Sequence, residues 1–435
     1  MYRRSFIAIF GFALFALYSY ADAAMPYTLQ SAMGVATEHS PLLQKAEAAR
    51  DEGQWKGVEG AGVFLPTVTL SGTHFFEKKY QLLNINTANG PSVIPQIFPT
   101  SSATVEAKWI FFDGLSNLSH FKAAQSIKKA GESSFKWARF QLQHEVTLAY
   151  VKVIAAKKLE DVSGQNLKTL QNHHEQIKNL RSGGLATNYD ILRVESQLSE
   201  AEADLLLAKD NTAISQEHLG QVLGIPESAD AGESQLAEPN IEPIKNLTFN
   251  RDTNKRADLD ALEEQVNASD QMDSANSRFW LPKLGLDAQY IKYNNLTDPL
   301  TDWDRYRSAY SVGFIMSWDI FNPREFAQSR QETYKSIQVQ KSLIQANLQA
   351  PVDFAFWKRR YLYSATLYTA KKVDLERANE TVRLSQAGFK AGVRTTTDVL
   401  DSELDLFRAR AGIVNAQVNC LEAKLKLELA LGETL

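Results

Sequence analysis

Trp109-Ile110-Phe111-Phe112-Asp113-Gly114 returns 209 residues later as Trp318-Asp319-Ile320-Phe321-Asn322-Pro323. On one side, Gly184-Leu185-Ala186-Thr187-Asn188-Tyr189-Asp190-Ile191-Leu192 returns 208 residues later as Gly392-Val393-Arg394-Thr395-Thr396-Thr397-Asp398-Val399-Leu400. On the other, Phe64-Leu65-Pro66 is answered by Trp280-Leu281-Pro282. Landmarks recurring in one order at nearly one interval mark a tandem duplication, and a repeat missed here would misassign every element. The expected organisation is a removable segment 1–23, a first repeat 24–223, a linker 224–250 and a second repeat 251–435. Pro226, Pro239 and Pro243 break helical periodicity in that linker.

Outward from each quoted join the residues alternate. From Tyr310 the positions Tyr310, Val312, Phe314, Met316, Trp318 and Ile320 are apolar, while Ser311, Gly313, Ser317 and Asp319 lie between them. Leu284, Leu286, Ala288 and Tyr290 alternate with Lys283, Gly285, Asp287 and Gln289. In the first half Val105, Ala107, Trp109 and Phe111 oppose Glu106 and Lys108, and Val68 and Leu70 interleave with Thr67, Thr69 and Ser71. Each half therefore predicts a β-hairpin, over 64–112 and 281–321, apolar on one face only.

Alternation alone fits a soluble sheet packed on helices just as well. Runs of about ten residues, with Trp, Tyr and Phe near their ends, point instead to tilted membrane strands with an interfacial girdle. The lipid-facing and girdle positions are then Trp109, Phe111, Tyr290, Tyr310, Phe314 and Trp318. The stretches joining each pair, around Asn84 to Pro99 and Asn294 to Arg307, read as polar, irregular, outward loops. Four strands cannot close a membrane barrel, whose smallest examples have about eight, and open edges in hydrocarbon leave backbone groups unsatisfied. Copies must associate; two would give eight strands and three would give twelve, and periodicity does not choose.

Between the strands, Leu115 to about Leu180 and Arg324 to about Phe389 contain few breakers, Pro351 being expected to kink the second stretch or mark a junction. About 65 residues at about 1.5 Å each make helices of roughly 100 Å. Asn322 before Pro323, and Asp113 at the matching place, are plausible caps. In the last helix Leu400, Leu404, Phe407, Ala411, Val414, Val418, Leu421 and Leu425 form one seam. Val399, Leu406, Ala409, Ile413, Ala416, Cys420, Ala423 and Leu427 form a second, broken only by Ser402, and the remaining positions, among them Glu403 and Gln417, read as the polar face. Two seams imply a helix with a partner on each side, as in a wall, with left-handed supercoiling of the pairs. A soluble helical bundle is the plainer reading of a wide apolar face.

The ends of the chain bound its class. Arg3 and Arg4, the apolar run Phe6 to Leu17 and Ala21-Asp22-Ala23 read as a secretory signal cleaved before Ala24. Its removal leaves 45 basic against 50 acidic side chains from the 47 and 51 of the full sequence, which argues against a nucleic-acid partner. No later run is long and apolar enough for a transmembrane helix. Cys420 is the only cysteine, so neither a disulfide nor an N-terminal lipid anchor is expected, and its seam position reads as a buried small side chain. Adjacent His173 and His174 point about 100° apart on a helix and are not a chelating pair. Gly183-Gly184 lacks the residues of a phosphate loop. Neither a cofactor, a metal nor an enzymatic activity is expected.

The signal, the duplicated strand pairs, the long heptad helices and the turns at Gly184 and Gly392 together resemble the TolC family of outer-membrane efflux proteins. The resemblance covers the mature chain, including Thr28-Leu29, Ser40-Pro41-Leu42 and the echo Arg256-Ala257-Asp258-Leu259. It implies a mainly α fold with a membrane β-barrel portion: a homotrimer with a twelve-stranded barrel in outer-membrane lipid and a twelve-helix periplasmic tunnel. The tunnel is closed until a periplasmic adaptor and an inner-membrane pump engage it, for efflux or type I secretion. By the motif match, constriction acids fall on Asp398 and Asp401, a gate arginine on Arg394 and its acidic partner on Asp190. The adaptor-contacting turns fall on Gly184, Leu185, Ala186, Thr187, Gly392, Val393, Arg394 and Thr395. Where the family's best-known member has a gate tyrosine, this chain has Phe389, without a hydroxyl.

Asp398 and Asp401 share a helix face, and three copies would crowd six carboxylates, raising some of their pKa values and attracting cations. The plainer reading is that Thr395 and Asp398 form a helix cap and both acids are solvated first-turn residues. A periplasmic adaptor with one helical hairpin is the rival from another class, and an exporter of proteins rather than small molecules the rival within this one.

Overall fold

The computed structural model describes residues 25–76, 80–88, 90–97, 101–250, 255–294 and 306–435. The expected signal 1–23 and most of the second connecting stretch, 295–305, lie outside them. In chain order the elements are β1 (Met25–Tyr27), α1 (Leu29–His39), α2 (Pro41–Gly62), β2 (Thr67–His74), β3 (Tyr80–Thr87), β4 (Gly90–Ile97), β5 (Ser101–Phe112), α3 (Ser116–Ser182) and α4 (Asn188–Leu223). After these come β6 (Ala229–Ala231), α5 (Glu242–Lys245), α6 (Ala257–Asn276), β7 (Lys283–Asn294), β8 (Arg307–Ser317), α7 (Pro323–Lys390) and α8 (Thr396–Leu431). The duplication is visible in the lengths: α3 and α7 have 67 and 68 residues, and α4 and α8 have 36 each. Among the described residues no helix is long and apolar enough to cross a membrane.

The chain divides into two compact units that each draw on both repeats. One, residues 41–144, 240–363 and 423–435, holds a four-stranded antiparallel sheet in the order β2-β5-β7-β8. Register carries the alternation of the sequence across the strands. Leu70, Val105, Tyr290 and Tyr310 form one row, Val68, Ala107, Ala288 and Val312 the next, and Trp109, Leu286 and Phe314 a third. The other face carries Thr69, Glu106, Gln289 and Ser311, then Thr67, Lys108, Asp287 and Gly313. A register shift between Ile110 and Phe112 interrupts β5 where the strand hands over to α3.

Every residue of β2 is exposed and β8 is nearly so. A helix packed on either face would bury alternate residues of these strands, so the sheet is not the roofed soluble sheet that alternation also allows. Its apolar rows lie bare: Tyr310 is 84% exposed and Phe314 83%. The stretch from Asn84 to Pro99 departs from the irregular loop expected of it. There β3 and β4 pair as an antiparallel hairpin, Leu83 opposite Ile94 and Thr87 opposite Gly90, which turns at a φ of 105°.

In the other unit, residues up to 40, 145–239 and 364–422, α1 and stretches of α3, α4, α7 and α8 pack together. Parallel β1 and β6 tie the start of the first repeat to the linker, and the Tyr150 hydroxyl donates to the Tyr27 carbonyl at 2.9 Å. Of the two α8 seams, the one through Val399, Ala416, Cys420, Ala423 and Leu427 is buried at those positions. The other is half-exposed at Leu404, Phe407, Ala411, Val418, Leu421 and Leu425. Pro351 is no junction: α7 runs through it without a break.

Candidate functional site

Both helical hairpins turn through the same local structure, dictated by the repeated Gly-x-x-Thr-x-x-Asp. Gly184 and Gly392 adopt left-handed φ values of 79° and 74°, which only glycine takes without a steric penalty. The next amides fold back on the departing helices, Leu185 to the Leu180 carbonyl and Val393 to that of Gly388, both at 2.9 Å. Thr187 and Thr395 then cap the returning helices. The Thr187 amide and hydroxyl donate to Asp190 Oδ2 at 2.8 and 2.6 Å, and the Asp190 amide donates back to the hydroxyl at 3.2 Å. The Thr395 amide and hydroxyl donate to Asp398 Oδ2, each at 2.8 Å, and the Asp398 amide returns the bond at 3.2 Å. Leu185 and Val393 stand 78% exposed at the tips, beside the less exposed Ala186.

These bonds set the electrostatics. Asp190 is held below the usual carboxylate range by the Thr187 hydroxyl and amide, with a smaller contribution from the Thr396 hydroxyl. Within one chain Asp398 is lowered by the Thr395 amide and hydroxyl and then by Arg394. Arg394 Nη1 lies 3.9 Å from Asp398 Oδ1, and its stem crosses Gly388, where an added Cβ would stand 2.6 Å from Arg394 Cγ. Within one chain, therefore, Arg394 pairs with Asp398, while Asp190 is bound by Thr187 and Thr396.

Phe389 is half-buried against a core of Leu170, Ile177, Ile191, Val194, Ala201 and Leu400 beneath the turns. Its ring centroid is 6.0 Å from that of His173, while His174 turns away to Glu195 at 3.3 Å. The aromatic substitution thus supplies packing at the base of the hairpins.

Three residues here escaped the sequence reading. Gly388 makes room for Arg394. Arg193, on α4, donates to Thr397 Oγ1 at 3.0 Å and to Asp401 Oδ1 at 3.3 Å on α8. Glu403, assigned with Gln417 to the polar outer face, is buried instead. Gln386 Nε2 donates to its Oε1 at 3.0 Å, and its Oε2 has no hydrogen-bond partner. Glu403 lines a cavity of about 210 Å³ with Asn166, Thr169, Gln386 and Arg410, and burial pushes its carboxyl up. Gln417 is satisfied by the carbonyls of Leu236 and Ala237, both at 3.0 Å. The signal for Arg193 was present: it stands 208 residues before Asp401, at the same position of the other repeat.

At the sheet, the duplication reappears as paired indole hydrogen bonds. Trp109 Nε1 donates to the Phe64 carbonyl and Trp318 Nε1 to that of Trp280, both at 2.9 Å. Phe111 meets Trp109 edge-on at 6.0 Å, and Tyr290 and Tyr310 are cross-strand neighbours. Anchored indoles beside a bare apolar face are the arrangement a membrane interface rewards.

Comparison with known proteins bears on the whole of this architecture. The family described as "Outer membrane efflux protein" matches residues 33–225 and 252–433. The outer membrane protein TolC of Vibrio cholerae is 24% identical over 436 residues, covering 96% of this chain and 93% of its own. The alkaline protease secretion protein AprF of Pseudomonas aeruginosa is 22% identical, covering 99% and 89%. Among solved structures, the outer membrane protein VceC of Vibrio cholerae superposes with a TM-score of 0.78 at 18% identity, over 93% of this chain and 96% of that one.

Proposed function

Because the chain belongs to the outer membrane efflux protein family, we propose that it is the outer-membrane duct of an export assembly, completed by three copies and gated at its helical turns. The protein is an outer-membrane channel component, and the single-hairpin adaptor reading falls with the duplicated match over both repeats. The observation that carries the duct reading is the four-stranded sheet, bare and apolar on one face, polar on the other and unpaired at both edges. A lone edge of that kind leaves a row of backbone donors and acceptors for which hydrocarbon has no substitute. Neighbouring copies supply the missing strands, and the polar face lines the lumen.

The exposed turns at Gly184-Leu185-Ala186-Thr187 and Gly392-Val393-Arg394-Thr395 are the surfaces offered to a periplasmic adaptor, through which an inner-membrane pump feeds the duct. Asp398 and Asp401, with Arg394, Asp190 and Phe389 around them, form the constriction. The relatives include one named for secretion of a protease and one for export of pyoverdine.

Single-channel recording of the purified full chain in planar bilayers tests this. Wild type conducts and is blocked by divalent cations; replacing Asp398 and Asp401 together by Asn weakens that block by about tenfold or more, which in free energy is about 1.4 kcal/mol. Unchanged block removes the two acids from the pore wall, and absence of channels removes the duct.

A further inference from the structure

The turns end two separate helical hairpins, α3 with α4 and α7 with α8, and something must hold one hairpin against the other while the constriction is shut. Phe389 has no polar atom to offer and lies in the hydrophobic base. Asp398 spends its carboxylate on its own threonine cap, and Asp190 does the same, with only the smaller, uncharged contribution of the Thr396 hydroxyl reaching it from α8. Arg394 folds over Gly388 toward Asp398, four residues along the same hairpin.

Arg193 is differently placed. It rises from the first turns of α4, and its two terminal nitrogens reach Thr397 Oγ1 and Asp401 Oδ1, which stand one helical turn apart on a single face of α8. The planar fork of arginine suits two acceptors spaced in this way better than the point charge of a lysine. The pair is also a product of the duplication, since Arg193 and Asp401 occupy one repeat position with opposite charges. A duplicate that had kept one residue at both places would bring like charges together across the hairpins.

We propose that Arg193 is the latch between the two hairpins of each subunit in the closed duct, and that by occupying Asp401 it withholds part of that carboxylate's charge from the constriction. This rests on the gate reading above. Its side chain is 31% exposed and that of Asp401 60%, so the contact is reachable by water and screened by salt. Such a contact can be given up and remade, as a latch requires.

The test uses single-channel conductance of the full chain, with Arg394→Glu as the reference for the gate itself. Arg193→Gln raises conductance severalfold over wild type, and Arg193→Asp raises it further by setting two acids against each other. Arg193→Lys, which keeps the charge but not the two-pronged fork, raises it less than Arg193→Gln does, a grading that a packing role would not give. Wild-type conductance in Arg193→Gln beside an opened Arg394→Glu overturns the latch and leaves the gate standing. An Arg193→Lys opened as far as Arg193→Gln also overturns it. Wild-type conductance in all of these variants means that the gate lies elsewhere, and the latch falls with it.

Discussion

Asp398 and Glu403 lie little more than one turn apart on α8, and their carboxyls move in opposite directions from the ordinary range. Asp398 is lowered by hydrogen bonds to its charged form, so its contribution to the fold is complete above the usual carboxylate pKa and is lost as pH falls through the folded value. Glu403 is raised by burial. Between its unfolded pKa, about 4.3, and that raised value, the folded chain keeps a proton the unfolded chain has released, so stability falls as pH rises through the window. The charged group lining the same cavity is Arg410, whose Nη1 is engaged with Gln165 Oε1 at 3.1 Å. Glu403→Gln keeps the amide-to-oxygen contact with Gln386 and removes the ionisation. It is expected to match wild type near pH 4 and to exceed it near pH 8 by about 1 kcal/mol, the lower end of what an unsatisfied buried group costs. Thermal unfolding followed by helical circular dichroism at both pH values checks this; a variant no more stable than wild type at pH 8 refutes it. The Asp398 cap was legible in its Thr-x-x-Asp spacing, but the burial of Glu403 was not. A heptad pattern assigns inward faces from apolar residues alone, and only the arrival of α3 through Asn166 and Thr169 encloses this acid.

At the scale of the strand, period-two alternation carried through to register because a slip of one residue would exchange the two faces of every strand. The two faces of β2, β5, β7 and β8 were therefore readable, though β8 stops at Ser317, short of Trp318 and Ile320, and the long helices were readable to their ends. The hairpin β3–β4 was not, since Pro91 and Pro95 argue against strands and the stretch has no clean alternation. Gly90, opposite Thr87 at a φ of 105°, takes a conformation at the reversal that a residue with a side chain rarely adopts. The two faces of β8 predict opposite tolerances. Phe314→Arg puts a cation on the apolar face and is expected to cost about 2–4 kcal/mol if the position lies near the bilayer midplane. Ser311→Arg, on the face shared with Glu106 and Gln289, is expected to cost less than about 1 kcal/mol. Yield of folded protein in the outer-membrane fraction separates them, and equal loss for both contradicts the assignment of faces.

Among the described residues, strand edges at β2 and β8 and the half-exposed α8 seam through Leu404, Phe407 and Val418 are left unfinished. On the duct reading both are completed by further copies, and the chemistry of the sheet constrains how many. Two copies would close eight strands, a barrel whose interior is filled by side chains. Its filling would be Thr69, Glu106, Lys108, Asp287 and Gln289 from each chain, charged groups whose burial without water is costly. Three copies would close twelve strands around a lumen wide enough to keep those groups wet, and would offer each half-exposed seam a neighbour's helix. The mass of the detergent-solubilised protein, measured under native conditions, is therefore expected to be three times that of one chain. A mass of two chains would require a dry, filled lumen, and the same sample would then fail to conduct ions in a planar bilayer; a mass of one chain would mean that the free edges of β2 and β8 are covered from within.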